Sequence, residues 1–228
     1  MPRSTTCSAS SVIRIAVCIA STGHCKTQFA VSLAALMAYF PSARLAQEEP
    51  DQCIGQFLVE SSGLAHNQHQ LVIRAKEWKA THILWVEDDM QFPPDALHCL
   101  FARRQRWVGA NYPMRMGPPF ENTALALDGK RVHTGANSTG LERCLYTGYG
   151  VTLMDASLFD EIDAPWFEMS WLGDGNYATT DAYLSQKVRE RGIPIYVDHD
   201  LSKRIGHVGH HTYHCAEVAA WKDANNGE

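Results

Sequence analysis

The chain has 228 residues, 45% of them hydrophobic and 20% charged, a balance that supports one sizeable core and excludes a wholly disordered chain or a fibrous repeat. A formal net charge of -5 and a pI near 6.1 exclude the overall positive field of a non-specific nucleic-acid binder, while leaving room for a local basic patch. The seven cysteines form no CxxC pair and no even framework, so they read as reduced thiols of a cytoplasmic protein.

Residues 1–11 are small and polar without periodicity, and they are expected to form a flexible N-terminal tail. The start imitates a signal peptide, but Arg14 interrupts the apolar stretch, and VIRIAVCIA (Val12 to Ala20) reads instead as a strand buried on both faces. After the turn Ser21-Thr22-Gly23, the helical spacing of Phe29, Leu33, Leu36 or Met37, and Phe40 predicts a helix that stops before Pro41. Cys53 to Glu60 reads as a second strand, and Leu64, Leu71, Val72, Ala75 and Trp78 mark the next helix. A third strand, Ile83 to Val86, runs into Glu87-Asp88-Asp89, and Pro93-Pro94 opens a helix through Leu97, Leu100 and Phe101. Trp107 to Ala110 is a short fourth strand. The stretch 115–145 turns Gly-rich and weakly periodic, as an active-site loop or small insertion would be. Regularity returns in GYGVTLMDASLFDEI as strand plus helix, in TTDAYLSQKVRERG as a helix ending at Gly192, and in the strand IPIYV. The order predicts a single α/β domain over 12–214, with a mostly parallel sheet flanked by helices, followed by a C-terminal tail at 215–228. No apolar run approaches the ~20 residues that a membrane span needs.

Such sheets bind ligands beyond the carboxyl ends of their strands, and the acidic triplet sits at such an end. Three adjacent carboxylates repel one another, so a divalent cation is an economical partner. In an extended segment Glu87 and Asp89 share a side, which lets one contact a sugar-nucleotide while the other meets a metal bridging its diphosphate. A solvated acidic turn or an N-cap cluster is the plainer alternative. Asp181 opens the late helix, where a carboxylate can cap the backbone or act as a general base. Asp174, between two glycines, is the competing base but reads as a turn. Ser21 and Thr22 follow the first strand, where a hydroxyl can cap a helix as well as bind a ligand.

The string THILWVEDDMQFPPDAL resembles the DxD segment of GT-A-fold glycosyltransferases, in particular short soluble ones from phage and metagenomic sequence. The likeness continues through VGANYPMR, the Gly-Tyr-Gly at 148–150, PWF at 165–167, TTDAYLSQKVRERG and IYVDHDLSKRIGHVG, covering residues 12–211. It departs at Glu87, where the first acidic position lacks Asp, and at His66, where relatives often carry Arg. The resemblance implies a GT-A-like, Rossmann-type fold and a metal-dependent, inverting transfer of a sugar from a nucleotide-sugar, a UDP-sugar, to an acceptor hydroxyl. It implies that Asp89 and His207 hold the metal, that Ser21, Thr22, Glu87 and Asp88 contact the donor, and that Asp181 deprotonates the acceptor. Imidazole with carboxylate suits Mn²⁺ better than Mg²⁺. By analogy with phage enzymes the acceptor is a hydroxymethylpyrimidine in DNA, with a glycan or protein as the alternative.

Two other functions compete: a nucleotidyltransferase on a related sheet, and a zinc-stabilised nucleic-acid-binding module using His207, His210, His214 and Cys215. His210, His211 and His214 otherwise read as solvent-facing. Arg103, Arg104 and Arg106 read as a solvated helix end or a contact for a polyanionic acceptor. Trp166, Phe167 and Trp171 read as core, loop anchors or a sugar-stacking platform.

Overall fold

The computed structural model describes residues 12–45, 51–115, 120–209 and 212–225, so the expected tail at 1–11 lies outside the described residues. Strand β1 (Ile13–Ser21) pairs in parallel with β2 (Gln52–Glu60) on one side and β3 (His82–Val86) on the other. Beyond β3, β8 (Val151–Asp155) runs antiparallel to both β3 and β5 (Trp107–Gly109). Next to β5 lies parallel β11 (Ile195–Asp198), then antiparallel β7 (Leu141–Tyr146), and β6 (Leu125–Ala126) closes the far edge. The order β2-β1-β3-β8-β5-β11-β7-β6 makes one eight-stranded sheet, in which only β7 and β8 oppose the common direction.

The alternation of β1 decides the layers. Ala16 and Cys18 face one core, with Leu71 and Val72 of α2 (Leu64–Glu77), Leu158 and Phe159 of α4 (Leu158–Glu161), and Leu184 and Val188 of α5 (Thr180–Glu190). Ile13, Ile15, Val17 and Ile19 face the other, with Phe29, Leu33 and Leu36 of α1 (Thr27–Tyr39), Leu97 and Leu100 of α3 (Ala96–Ala102), and Leu201 of α6 (His199–Ser202). Each fully buried Val, Leu, Ile or Phe among them contributes about 1.5–3 kcal/mol of transfer free energy, which is why an almost wholly apolar strand is stable at the centre of three layers.

Two expectations need correction. The stretch read as irregular contains β7, a full member of the sheet; its LERCLY buries only Cys144, so its weak pattern reflects a partly exposed strand held by β11. The segment read as a C-terminal tail carries helix α7 (Cys215–Asn225), whose Cys215, Val218 and Ala219 are buried. Lys222 there pairs with Glu121 at 3.1 Å.

Of the arginines after α3, Arg104 is exposed as a solvated helix end would be, while Arg103 and Arg106 are held in ion pairs. The Arg103 guanidinium grips the buried Asp198 at 2.8 and 3.0 Å and Asp200 at 2.8 Å, while Asp198 also caps α6 by accepting from the Asp200 and Leu201 amides. Arg106 pairs with Glu161. Arg204 donates to both oxygens of Asp95, at 2.6 and 3.0 Å. The Arg103 and Arg204 pairs fix the turn that leads from β11 to His207.

Candidate active site

The acidic triplet leaves β3 beside the end of β1, and its members turn to different partners. Asp88 accepts from the Ser21 hydroxyl at 2.6 Å, and the same Ser21 oxygen accepts the Gly23 amide at 3.0 Å. Both residues line a cavity of about 510 Å³ together with Cys25, Phe29, Leu58 and Glu60. Thr22 is exposed at the same turn, outside that lining.

Asp89 meets His207. Directly after Asp89, the short β4 (Met90–Gln91) pairs antiparallel with β12 (Gly206–Val208), which also pairs with β13 (Thr212–His214). His207 stands opposite Met90, and the Val208 amide donates to the Asp89 carbonyl at 2.8 Å. The His207 Nε2 lies 3.4 Å from Asp89 Oδ2. Its Nδ1 donates to the Pro113 carbonyl at 2.8 Å, which turns Nε2 toward the carboxylate. Arg115 also reaches Asp89 Oδ2, at 2.9 Å. Burial pulls the Asp89 carboxyl upward, but the hydrogen bond and charge of His207, with Arg115, outweigh it and hold its pKa below the ordinary value.

Glu87 is not part of the cavity lining. Its carboxylate accepts from the Tyr112 hydroxyl at 3.3 Å, and that hydroxyl accepts the Gly150 amide at 3.0 Å. The Gly148 and Gly150 positions are what admit this tyrosine: a Cβ on Gly150 would lie 2.6 Å from its ring, and one on Gly148 2.1 Å from its oxygen. Burial, then the charges of Asp89 and Asp181, push the Glu87 pKa up to about 8 against the Tyr112 hydrogen bond. Asp181 sits in the first turn of α5, where its carboxylate accepts from the Ala182 amide at 2.9 Å and from the Thr179 hydroxyl. Burial raises its pKa despite those bonds, and its charge is felt by Glu87, Tyr112 and Tyr149. The expected residues therefore fall into linked groups: Ser21 with Asp88, Asp89 with His207, and Glu87 within electrostatic reach of Asp181. Asp174 sits at φ 50° between Gly173 and Gly175, in the turn that its flanking glycines predict.

A divalent cation fits the Asp89 and His207 pair. Two ligands each about 2.1 Å from one ion and at right angles stand roughly 3 Å apart, close to the observed separation. Asp89 Oδ1 is buried without a hydrogen-bond partner, as an oxygen reserved for a cation would be. One imidazole nitrogen with carboxylate oxygen is a donor set that suits Mn²⁺. Of the zinc-module ligands, Cys215 is already engaged: it donates its thiol to the Asn111 carbonyl at 3.4 Å, and burial pushes its pKa up to about 12. Among the described residues no group of three or more His, Cys, Asp and Glu side chains could hold a metal; His210 and His211 lie outside them.

Sequence reasoning missed Tyr112 and Arg115 as site residues, although both stand in the quoted VGANYPMR. Nothing in their local spacing distinguishes a buried hydroxyl or a carboxylate-bound guanidinium from ordinary loop residues. Of the aromatics, Phe167 is core, packed on Trp85 at 5.6 Å, and Trp166 anchors its loop by donating to the Ile162 carbonyl at 2.8 Å. Trp171 remains exposed.

No protein-family model matches the chain, and no curated protein matches it in sequence. Solved structures match it in shape. A crystal structure of A197 from STIV superposes with a TM-score of 0.55 at 12% identity, covering 86% of this chain and 86% of that one. A crystal structure of GalNAc-T7 with UDP, GalNAc and Mn²⁺ superposes with a TM-score of 0.55 at 13% identity, covering 86% of this chain and 44% of that one. The chain thus spans less than half of the second structure. At these identities the likeness is one of fold: a single α/β domain of the GT-A-like kind.

Proposed function

We propose that this protein is a metal-dependent glycosyltransferase that moves a sugar from a nucleotide-sugar, a UDP-sugar, onto an acceptor hydroxyl with inversion. The observation that carries the reading is the approach of His207 Nε2 to Asp89 Oδ2 within 3.4 Å, beside the strand end whose Asp88 lines the 510 Å³ cavity. The GalNAc-T7 likeness lends support, because that protein is seen with UDP and Mn²⁺.

In this reading Asp89 and His207 hold a divalent cation, Mn²⁺ in preference to Mg²⁺, which supplies positive charge against the diphosphate that departs. Pro113 keeps His207 in the tautomer whose Nε2 is directed at the site. Asp88, steadied by the Ser21 hydroxyl, orients the ribose from the floor of the cavity, and Ser21 and Thr22 flank the nucleotide. Glu87, half-buried and near Asp181, orients the transferred sugar. Asp181 takes the acceptor proton: burial raises its carboxyl pKa, which makes it a stronger base than an exposed aspartate, and geometry inside hydrogen-bond reach of the acceptor is what the role requires. An acceptor hydroxyl on a hydroxymethylpyrimidine in DNA or on a glycan satisfies the same chemistry. No helix among the described residues is long and apolar enough to cross a membrane, and with the free cysteines we read the site of action as the cytoplasm.

Screening UDP-sugars for UDP release, with and without Mn²⁺, tests the reading. Release that needs both an acceptor and the metal is expected. Transfer of a nucleotidyl group would replace the proposal with the nucleotidyltransferase.

A further inference from the structure

Between the core residue Phe167 and the Thr179 that precedes α5, the chain forms a hairpin, β9 (Ser170–Gly173) with β10 (Asn176–Ala178), which belongs to neither larger sheet. Its roots are fixed: Phe167 packs on Trp85 and Tyr149, and the Thr179 hydroxyl is bonded to Asp181. Its outer part is apolar and bare. Trp171 and Tyr177 stand opposite each other across the strands, with ring centroids 4.9 Å apart, and are 58% and 55% exposed. Met169 and Leu172 are 54% and 67% exposed. An isolated two-stranded hairpin gains little stability by itself, so two large aromatic rings held in water on one of its faces are better explained by a ligand than by folding.

We propose that Trp171 and Tyr177 form an acceptor platform that stacks a pyranose ring of an uncharged glycan; this rests on the glycosyltransferase reading and names its acceptor class. Position and charge both support it. Tyr177 is four residues from Asp181, so their Cα atoms lie within about 14 Å, a separation that a short saccharide can bridge. An aromatic face meets the apolar C–H face of a pyranose by dispersion, while Ser170 and Asn176 offer hydrogen bonds to hydroxyls. A nucleic acid would need cations against its phosphates, and from Glu168 to Asp181 the chain carries no Lys or Arg, only the acids Glu168, Asp174 and Asp181.

The test is binding of the full chain, with UDP and Mn²⁺ present, to neutral gluco-, galacto- and N-acetylglucosamine trisaccharides at millimolar concentration, read by tryptophan fluorescence and by calorimetry. At least one trisaccharide is expected to bind, about tenfold more weakly after Trp171→Ala or Tyr177→Ala, with most affinity retained in Trp171→Phe and UDP affinity unchanged throughout. Three results would overturn the platform: no trisaccharide binds; a single-stranded oligonucleotide binds instead, dependent on Trp171 and sensitive to salt; or Trp171→Ala alters the oligomeric state while leaving saccharide binding intact. UDP affinity in the same samples separates the two ideas. Trisaccharide binding without UDP binding would sink the transferase and leave the platform, and the reverse would sink the platform alone.

Discussion

Asp89 and His207 face each other because the two-residue strand that starts at Met90 pairs with Gly206–Val208, bringing distant parts of the chain into one small sheet. His207→Ala should therefore weaken Mn²⁺ binding, measured by calorimetry without donor, and lower donor turnover by about 100-fold or more, since the charge a metal supplies is worth several kcal/mol. Asp89→Asn should do the same while circular dichroism stays unchanged. Mn²⁺ affinity at the wild-type level in both variants would show that the pair is not a metal site.

Arg115 competes for the same carboxylate oxygen. Its guanidinium lies 2.9 Å from Asp89 Oδ2 and is 43% exposed, so the pair is screened and contributes little by itself. Arg115→Ala is expected to tighten Mn²⁺ binding in the absence of nucleotide by up to about fivefold, the equivalent of a partly exposed ion pair of about 1 kcal/mol. Weaker Mn²⁺ binding in this variant would mean that the arginine helps to shape the site and does not compete for it.

The parts of this architecture that could be read from the sequence are those fixed by long apolar patterns. Val12 to Ala20 announced a strand covered on both sides because both of its faces are in fact buried, and the helices over 27–39, 64–77 and 180–190 each carry a repeating apolar stripe. The strands of two and three residues around Met90 and His207 carry no such pattern, since pairing over so short a length is set by the tertiary neighbours. The link between Asp89 and His207 was therefore legible through family likeness and not through periodicity. Arg103 looked like a helix-end charge because its partner, the buried Asp198, lies far along the chain. Helix α7 is hard to read in CAEVAAWKDAN because its burial rests on only three residues of small or moderate size, Cys215, Val218 and Ala219.

The bidentate pair between Arg204 and Asp95 ties α3 to the turn just before β12, so it steadies the approach to His207. The Arg204 hydrogen bond, opposed by modest desolvation, holds the Asp95 carboxyl below its ordinary pKa. A lowered folded-state value means that the contribution is present above the unfolded pKa of about 3.9 and is lost as pH falls through the folded value. With Asp95 31% and Arg204 46% exposed, screening limits it to about 1 kcal/mol or less. Asp95→Asn should accordingly lower Tm by roughly 1–3 °C near neutral pH, with the difference fading as the pH falls below the unfolded pKa of about 3.9. A Tm gap that is constant with pH would point to packing and not to the carboxylate charge.

Asp181 has two available roles that mutation can separate. As a first-turn carboxylate it accepts the Ala182 amide and faces the positive end of α5, a role worth about 0.3–1 kcal/mol of stability that does not touch chemistry. As a general base it must lose its function when it can no longer take a proton. Asp181→Asn keeps a side-chain oxygen for the amide and removes the basicity, so it should leave Tm nearly unchanged, leave UDP affinity unchanged, and reduce kcat by about 10²–10⁴-fold. Asp181→Ala should add the loss of stability to the same loss of rate. If Asp181→Asn transfers sugar at the wild-type rate, Asp181 is not the base, its role is confined to the first turn of α5, and the assignment of inversion loses the residue on which it rests.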